Sequence, residues 1–290
     1  MKLRKEGILD LMQIYCYLDY NEEVWKLLEN EYDRWDYILE EENEKRKKCK
    51  SCNSVKESNC NGLILNFEIF DGKLSHTYFY CDVYSFERKM RLYTIALNQD
   101  IERFKDKELK NFIINNENRY AVNRVLKYLK EEEYKRGVGI LFIGKVGTGK
   151  THLAISIWKE LLNRKIAGIY INTIDLFHIL RSRIGNDSEI SFEETLELVK
   201  KSRFLAIDDL GVEKDTEFVN EVLFSIIDYR YEKKLPTIIT TNLTLDEIKK
   251  NLTERIVSRM LGSCEVIFLN GRDFRINGKK EQKEGIQDRA

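Results

Sequence analysis

GKVGTGKT, residues 144–151, stands between the apolar run GILFI (139–143) and the amphipathic stretch THLAISIWKELLNRK (151–165), and that order decides the fold. The octapeptide fits G-x-x-x-x-G-K-[ST], a loop that binds phosphate when it leaves a strand and opens a helix. Gly144, Gly147 and Gly149 leave backbone N–H groups free to surround phosphate oxygens, and the helix dipole behind them favours anions. Lys150 would reach the β- and γ-phosphates, and the Thr151 hydroxyl would bind Mg²⁺. Thr148 and His152, inside and just after the loop, complete the candidate nucleotide contacts.

Outward from the loop the rhythm is strand–helix–strand. GIYINT (168–173), RFLAIDD (203–209), PTIITTN (236–242) and CEVIFLNG (264–271) are apolar runs, separated by stretches of helical period such as IDLFHILRSRI and EFVNEVLFSIIDYRYEKK. Continuous apolar strands alternating with helices predict an α/β domain built on a parallel sheet covered on both faces. RFLAIDD ends in two carboxylates. Asp208, beside the phosphate loop, would hold Mg²⁺ through water, and Asp209 would orient or deprotonate the attacking water. Asp209 stands where many such ATPases have Glu, one methylene longer, so slow hydrolysis is expected. Asn242, at the end of its strand, is placed to hydrogen-bond the γ-phosphate or the lytic water. In ERIVSRM (254–260), Arg255 and Arg259 lie four apart on one helix face. Such a pair commonly forms surface ion pairs, and either arginine is also a candidate for stabilising phosphoryl transfer in a neighbouring subunit.

Net charge is +0, with 49 basic and 49 acidic residues, so a chain that coats duplex phosphate over its whole surface is not expected. No apolar run reaches the roughly 18 residues of a membrane span, and MKLRKEGILDLMQIYCYLDY lacks a signal-peptide core, so a cytoplasmic location is expected. The first 48 residues read as helix. GLILNFEIFDG and KLSHTYFYC read as two strands joined at Asp71-Gly72. Around them lie Cys49 and Cys52, spaced C-x2-C, then Cys60 and Cys81. The close pair suits one tetrahedral Zn²⁺. Cys60 and Cys81 would complete a closed structural site, with His76 competing for one place. Cys16 and Cys264 lie in apolar stretches and read as buried thiols. The expected division is 1–104, helical and zinc-binding, α+β; 105–136, a linker and its helix; 137–278, the nucleotide-binding domain; and 279–290, a tail.

The order phosphate loop, acidic strand, polar strand end, arginine helix resembles the AAA+ superfamily of P-loop proteins. FLAIDDLGVEKDTEFVNEVLFSIIDYRYEKKLPTIITTN, followed by ERIVSRM and RDFR, is more specific. Over residues 117–277 the chain resembles bacterial replicative helicase loaders of the DnaC/DnaI type and their relatives, the IstB-type transposition ATPases. The resemblance implies an ATPase that takes ATP and Mg²⁺, binds the replicative DNA helicase hexamer, helps place it on single-stranded DNA and self-assembles through its AAA+ domain. It matches Arg259 to a trans-acting arginine finger and Arg275 to the sensor-2 arginine. Arg181 and Arg183, and Thr216 and Phe218 in a second loop, become candidates for single-strand contact, an aromatic there being able to stack on a base. DnaI-type loaders carry a zinc-binding amino-terminal domain that touches the helicase. Two further readings stand beside the loader: a transposition helper ATPase, and a nucleotide-switch adaptor that barely hydrolyses ATP.

Overall fold

The computed structural model describes residues 22–31, 34–35, 37–39, 41–42, 62–97, 101–185, 190–211, 217–271 and 273–274. By its internal contacts the chain divides into two compact units, Met1–Arg88 and Lys89–Ala290.

In the first unit, α1 (Glu22–Asn30) precedes the antiparallel hairpin of β1 (Leu63–Phe70) and β2 (Lys73–Tyr80). The turn falls at Asp71-Gly72 as expected, with φ of 50° and 70°, the left-handed pair that matches the twist of a two-residue hairpin. Alternation does the rest. Leu65, Phe67 and Leu74 bury one face against Val24, Leu28, Trp35 and Leu39, while Asn66 and Glu68 on the other face hydrogen-bond each other and Thr77.

Helix α2 (Asp82–Leu97) spans the division between the units. The second unit therefore begins at Lys89, ahead of the expected boundary at 104. The segment after α2 is fastened to the rest of the second unit. Lys159 donates to the carbonyls of Phe104 and Lys105 and to Glu108, and the Phe104 ring meets Trp158 and Tyr170 edge-on.

Then follow α3 (Arg119–Lys130), β3 (Gly139–Ile143), α4 (Lys150–Asn163), β4 (Gly168–Asn172), α5 (Thr173–Ser182), α6 (Phe192–Lys201), β5 (Phe204–Leu210), α7 (Glu217–Glu232), β6 (Thr237–Thr241), α8 (Leu245–Asn251), α9 (Glu254–Ser263) and β7 (Cys264–Phe268). The five strands of this unit are all parallel, in the order β4-β5-β6-β3-β7. Ile140 and Phe142 join a core shared with α3 and α4, and the intervening Leu141 is equally buried on the opposite side. Both faces are covered, and for that reason the strands read as unbroken apolar runs. Trp158, fully buried, donates from its indole to Gly168 O at 2.9 Å and ties α4 to the start of β4.

Helix α6 is an addition to the elements read from periodicity. Its signature is local: Ser191 accepts from the Glu194 N–H while the Glu194 carboxylate accepts from the Ser191 N–H, a complete capping box. Cys264 is buried as expected, and burial pushes its thiol up to about 11. Cys16 lies outside the described residues. No helix among the described residues is long and apolar enough to cross a membrane.

Candidate nucleotide site

The phosphate loop joins β3 to α4 at the carboxyl ends of the parallel strands, where open α/β sheets bind ligands. Gly147 and Gly149 have φ of 77° and 101°, and any side chain there would meet a neighbour: Asp273 at the first, the Phe112 ring (2.8 Å) at the second. The loop must therefore be glycine twice over, for conformation and for space. Lys150 is buried and its ammonium donates to Gly144 O (2.7 Å), Lys145 O (2.8 Å) and Asn242 Oδ1 (2.6 Å). The Thr148 hydroxyl closes the loop on Lys145 O at 2.9 Å. Asn242, expected to face phosphate, thus also holds the loop's lysine.

Across the loop stands Asp208. The ladder between β5 and β6 shifts register between Ile207 and Leu210, so the two aspartates sit in a bulge, and Asp209 adopts a left-handed φ of 56°. Asp208 Oδ1 accepts from Thr151 Oγ1 (3.1 Å) and Thr240 Oγ1 (2.6 Å), and Oδ2 accepts from Tyr170 Oη (2.7 Å). Burial and the adjacent Asp208 carboxylate hold the Tyr170 phenol far above its usual range, so it remains a donor. The Asp209 N–H donates to Thr240 Oγ1 at 3.0 Å, which commits that hydroxyl's own proton to Asp208. A cavity of about 570 Å³ opens beside these groups, with Thr151, Asp208, Asp209, Asn172, Arg103 and His178 in its wall.

These donors suit a magnesium nucleotide: a glycine cradle with no room for side chains, a buried ammonium, and a hydroxyl already bonded to a carboxylate. Lys150 and the loop N–H groups would hold phosphate, and Thr151 and Asp208 would hold the metal. A bound Mg²⁺ would supply charge neutralisation of the β- and γ-phosphates.

The remaining candidates divide. His152 turns to the preceding segment: its Nε2–H donates to Glu108 O at 2.9 Å, its ring meets Phe112 edge-on, and burial lowers its pKa. Arg183 bonds Thr195 Oγ1 and Ala96 O (2.6 Å), so its donors serve the fold. Phe218 packs between Phe177 and Phe192, with the Arg181 guanidinium 5.0 Å from its ring centre. Arg259 pairs within its own chain with Asp228. Thr216 and Arg275 lie outside the described residues, as do Cys49, Cys52 and Cys60, and no group of three metal-binding side chains occurs among the described residues. Sequence reasoning did not single out Tyr170 and Thr240. The hydroxyl-rich strand end TIITT is the one signal that pointed to the second.

Replicative helicase loader DnaC of Escherichia coli (strain K12) is 32% identical over 164 residues, which take in 55% of this chain and 66% of that protein's length. Replicative helicase loader DnaI of Bacillus subtilis (strain 168) is 25% identical over 301 residues, 93% of this chain and 92% of that protein. The crystal structure of the DnaC helicase loader superposes with a TM-score of 0.53 at 28% identity, covering 58% of this chain and 99% of that one. The likeness to DnaC- and DnaI-type proteins therefore holds in sequence and in fold, and the five-stranded parallel sheet is that of an AAA+ P-loop domain. The profile of the IstB-like ATP binding protein family matches residues 82–282, and the chain belongs to that family.

Proposed function

We propose that this chain is an ATP-controlled loader of the replicative DNA helicase, which grips the helicase hexamer through its amino-terminal unit and couples nucleotide state to placing it on single-stranded DNA. The observation that carries the reading is the extent of the likeness to DnaI. It runs through 93% of this chain, whereas the family profile shared with IstB-like proteins begins at residue 82. The amino-terminal unit is thus shared with the DnaI sequence and lies largely outside the IstB-like profile, which supports a partner contact of the loader kind there. At the ATP site Asp209 orients the attacking water and Asn242 steadies Lys150 and the γ-phosphate. With Asp209 one methylene shorter than Glu, turnover is slow. Arg259 acts on a neighbouring subunit's nucleotide, Arg275 on the nucleotide of its own chain, and Arg181 and Thr216 meet the DNA strand.

The test is native mass spectrometry of the full-length protein with its host's replicative helicase, with and without ATP and Mg²⁺. Several copies on a helicase hexamer, responding to ATP, are expected. No complex under either condition, together with retention on duplex DNA, would move the protein to the transposition helpers.

In the amino-terminal unit, Cys49, Cys52, Cys60 and Cys81 form one structural Zn²⁺ site. Register supports Cys81 over His76. The Cys81 N–H donates to Gly62 O at 2.7 Å, so Cys60 lies two residues in sequence from its cross-strand neighbour. Cys81 Sγ also accepts from the Tyr84 N–H (3.3 Å) at the start of α2. His76 pairs with Phe67 and packs against Trp35 and Tyr78; five residues of strand, roughly 16 Å, part it from Cys81. Ligands of one zinc lie within about 2.3 Å of the metal, so the two cannot share it. One zinc per chain is expected by native mass spectrometry, retained in His76→Ala and lost in Cys81→Ser. Loss in His76→Ala alone would reverse the assignment.

A further inference from the structure

Two arginines lie near the carboxyl-terminal half of α7, and their hydrogen bonding differs in kind. Arg230 is fully buried and all three of its nitrogens are bonded. Arg259, on α9, is 31% exposed at its side chain and uses one nitrogen: Nε donates to Asp228 Oδ1. The Phe224 and Tyr231 rings flank it, with centres 5.5 and 5.8 Å from the guanidinium carbon. Phe224, Asp228 and Tyr231 recur at i, i+4 and i+7, so one stripe of α7 holds the guanidinium on three sides. Among the described residues the two terminal nitrogens of Arg259 make no hydrogen bond. A guanidinium held at Nε keeps its Nη1–Nη2 edge directed away from the carboxylate, and that planar fork matches two oxygens of a phosphoryl group.

We propose that Asp228, flanked by Phe224 and Tyr231, is a positioning residue that presents the open edge of Arg259 to the phosphates of a nucleotide bound by a second copy of this chain. The inference rests on the ATP-site reading and on assembly through the AAA+ domain. Without Asp228 the long side chain samples its rotamers, and the edge is presented for a smaller fraction of the time.

Two full-length proteins, mixed, test it. The acceptor carries Arg259→Ala and an intact nucleotide site. The donor carries Asp208→Asn, with Arg259 intact. Each alone turns ATP over slowly, and the mixture is expected to recover hydrolysis. Adding Asp228→Ala to the donor is expected to lower the recovered kcat about tenfold at saturating donor, with the acceptor's KM for ATP unchanged. Donor Asp228→Asn, whose carbonyl still accepts from Nε, is expected to keep at least half the recovered rate, which also separates positioning from misfolding. A donor with Asp228→Ala that matches or exceeds the parent donor overturns the positioning role. No recovery with the parent donor overturns the trans-acting reading of Arg259 itself, and this inference with it.

Discussion

Asp208→Asn is expected to lower ATP turnover on the order of 10³-fold while nucleotide affinity changes by less than about tenfold, the scale that follows when one preorganised polar group leaves a site of phosphoryl transfer. The residues around Asp208 are donors to a carboxylate, and an amide loses at least one of their bonds in either orientation. Oδ1 accepts from Thr151 and Thr240, and Oδ2 accepts from Tyr170. Thr240 cannot reverse its hydroxyl, because its oxygen already accepts the Asp209 N–H. An asparagine NH2 would therefore face either Tyr170 Oη, whose proton must then turn away and whose bond to Oδ2 is lost, or the two threonine hydroxyls, of which Thr240 cannot turn. The unit charge that would hold the metal's water is lost as well. Phosphate binding would draw mainly on Lys150 and the loop N–H groups, with Lys150 bonded to Gly144 O, Lys145 O and Asn242, so affinity is expected to be largely kept. Steady-state hydrolysis and titration with a fluorescent ATP analogue measure the two quantities separately. Turnover within tenfold of the parent would assign the metal-holding role to another carboxylate in the cavity wall, with Asp209 first in line.

What was legible in the sequence follows from what each element depends on. The parallel strands were readable because strands covered on both faces are apolar at every position, as Ile140, Leu141 and Phe142 show. The phosphate loop was readable because its chemistry lies in consecutive residues. Helix α6 is only ten residues long, with a charged start and a charged end, and its Ser191–Glu194 box was the sharpest local signal. Contacts across the sheet could not be read at all. Tyr170 looks like any strand aromatic until β4 pairs with β5 in the register that sets Asn172 opposite Asp208. His152 and Arg183 sit at motif positions, yet Glu108 O takes the first and Thr195 and Ala96 O the second. A motif specifies which side chains are present. The neighbours that compete for them come from distant parts of the chain.

Arg230→Met is expected to cost on the order of 4 kcal/mol of folding stability, most of the roughly 5 to 15 kcal/mol that holds a typical domain together. The guanidinium is 1% exposed. It gathers the carbonyls of Lys200 (3.0 Å), Ser202 (2.8 Å) and Pro236 (2.7 Å), and its Nε donates to Thr237 Oγ1 (2.9 Å). Those carbonyls mark the end of α6 and the entries to β5 and β6; the first two stand at the helix end, and Pro236 O starts the ladder on a long bond from the Leu205 N–H (3.4 Å). One side chain thus ends a helix and aligns two strands, and the α6 dipole favours its charge. Burial lowers its pKa to about 9, so at neutral pH the cation persists on carbonyls and hydroxyls alone. Methionine would fill much of the volume and leave the Lys200 and Ser202 carbonyls without donors, each costing about 1–3 kcal/mol, while Pro236 O keeps only the longer bond from the Leu205 N–H (3.4 Å). Lysine, with one nitrogen in place of three, cannot reach them all and should lose about half as much. Urea unfolding of the full chain followed by circular dichroism measures the loss. Hydrogen exchange then locates it, since the amides of α6 should lose protection before those of β3. A loss below about 1 kcal/mol for Arg230→Met would mean that α6 frays and lets water reach the carbonyls, so that the helix is held by the packing of Val199 and Thr195 and not by this cation.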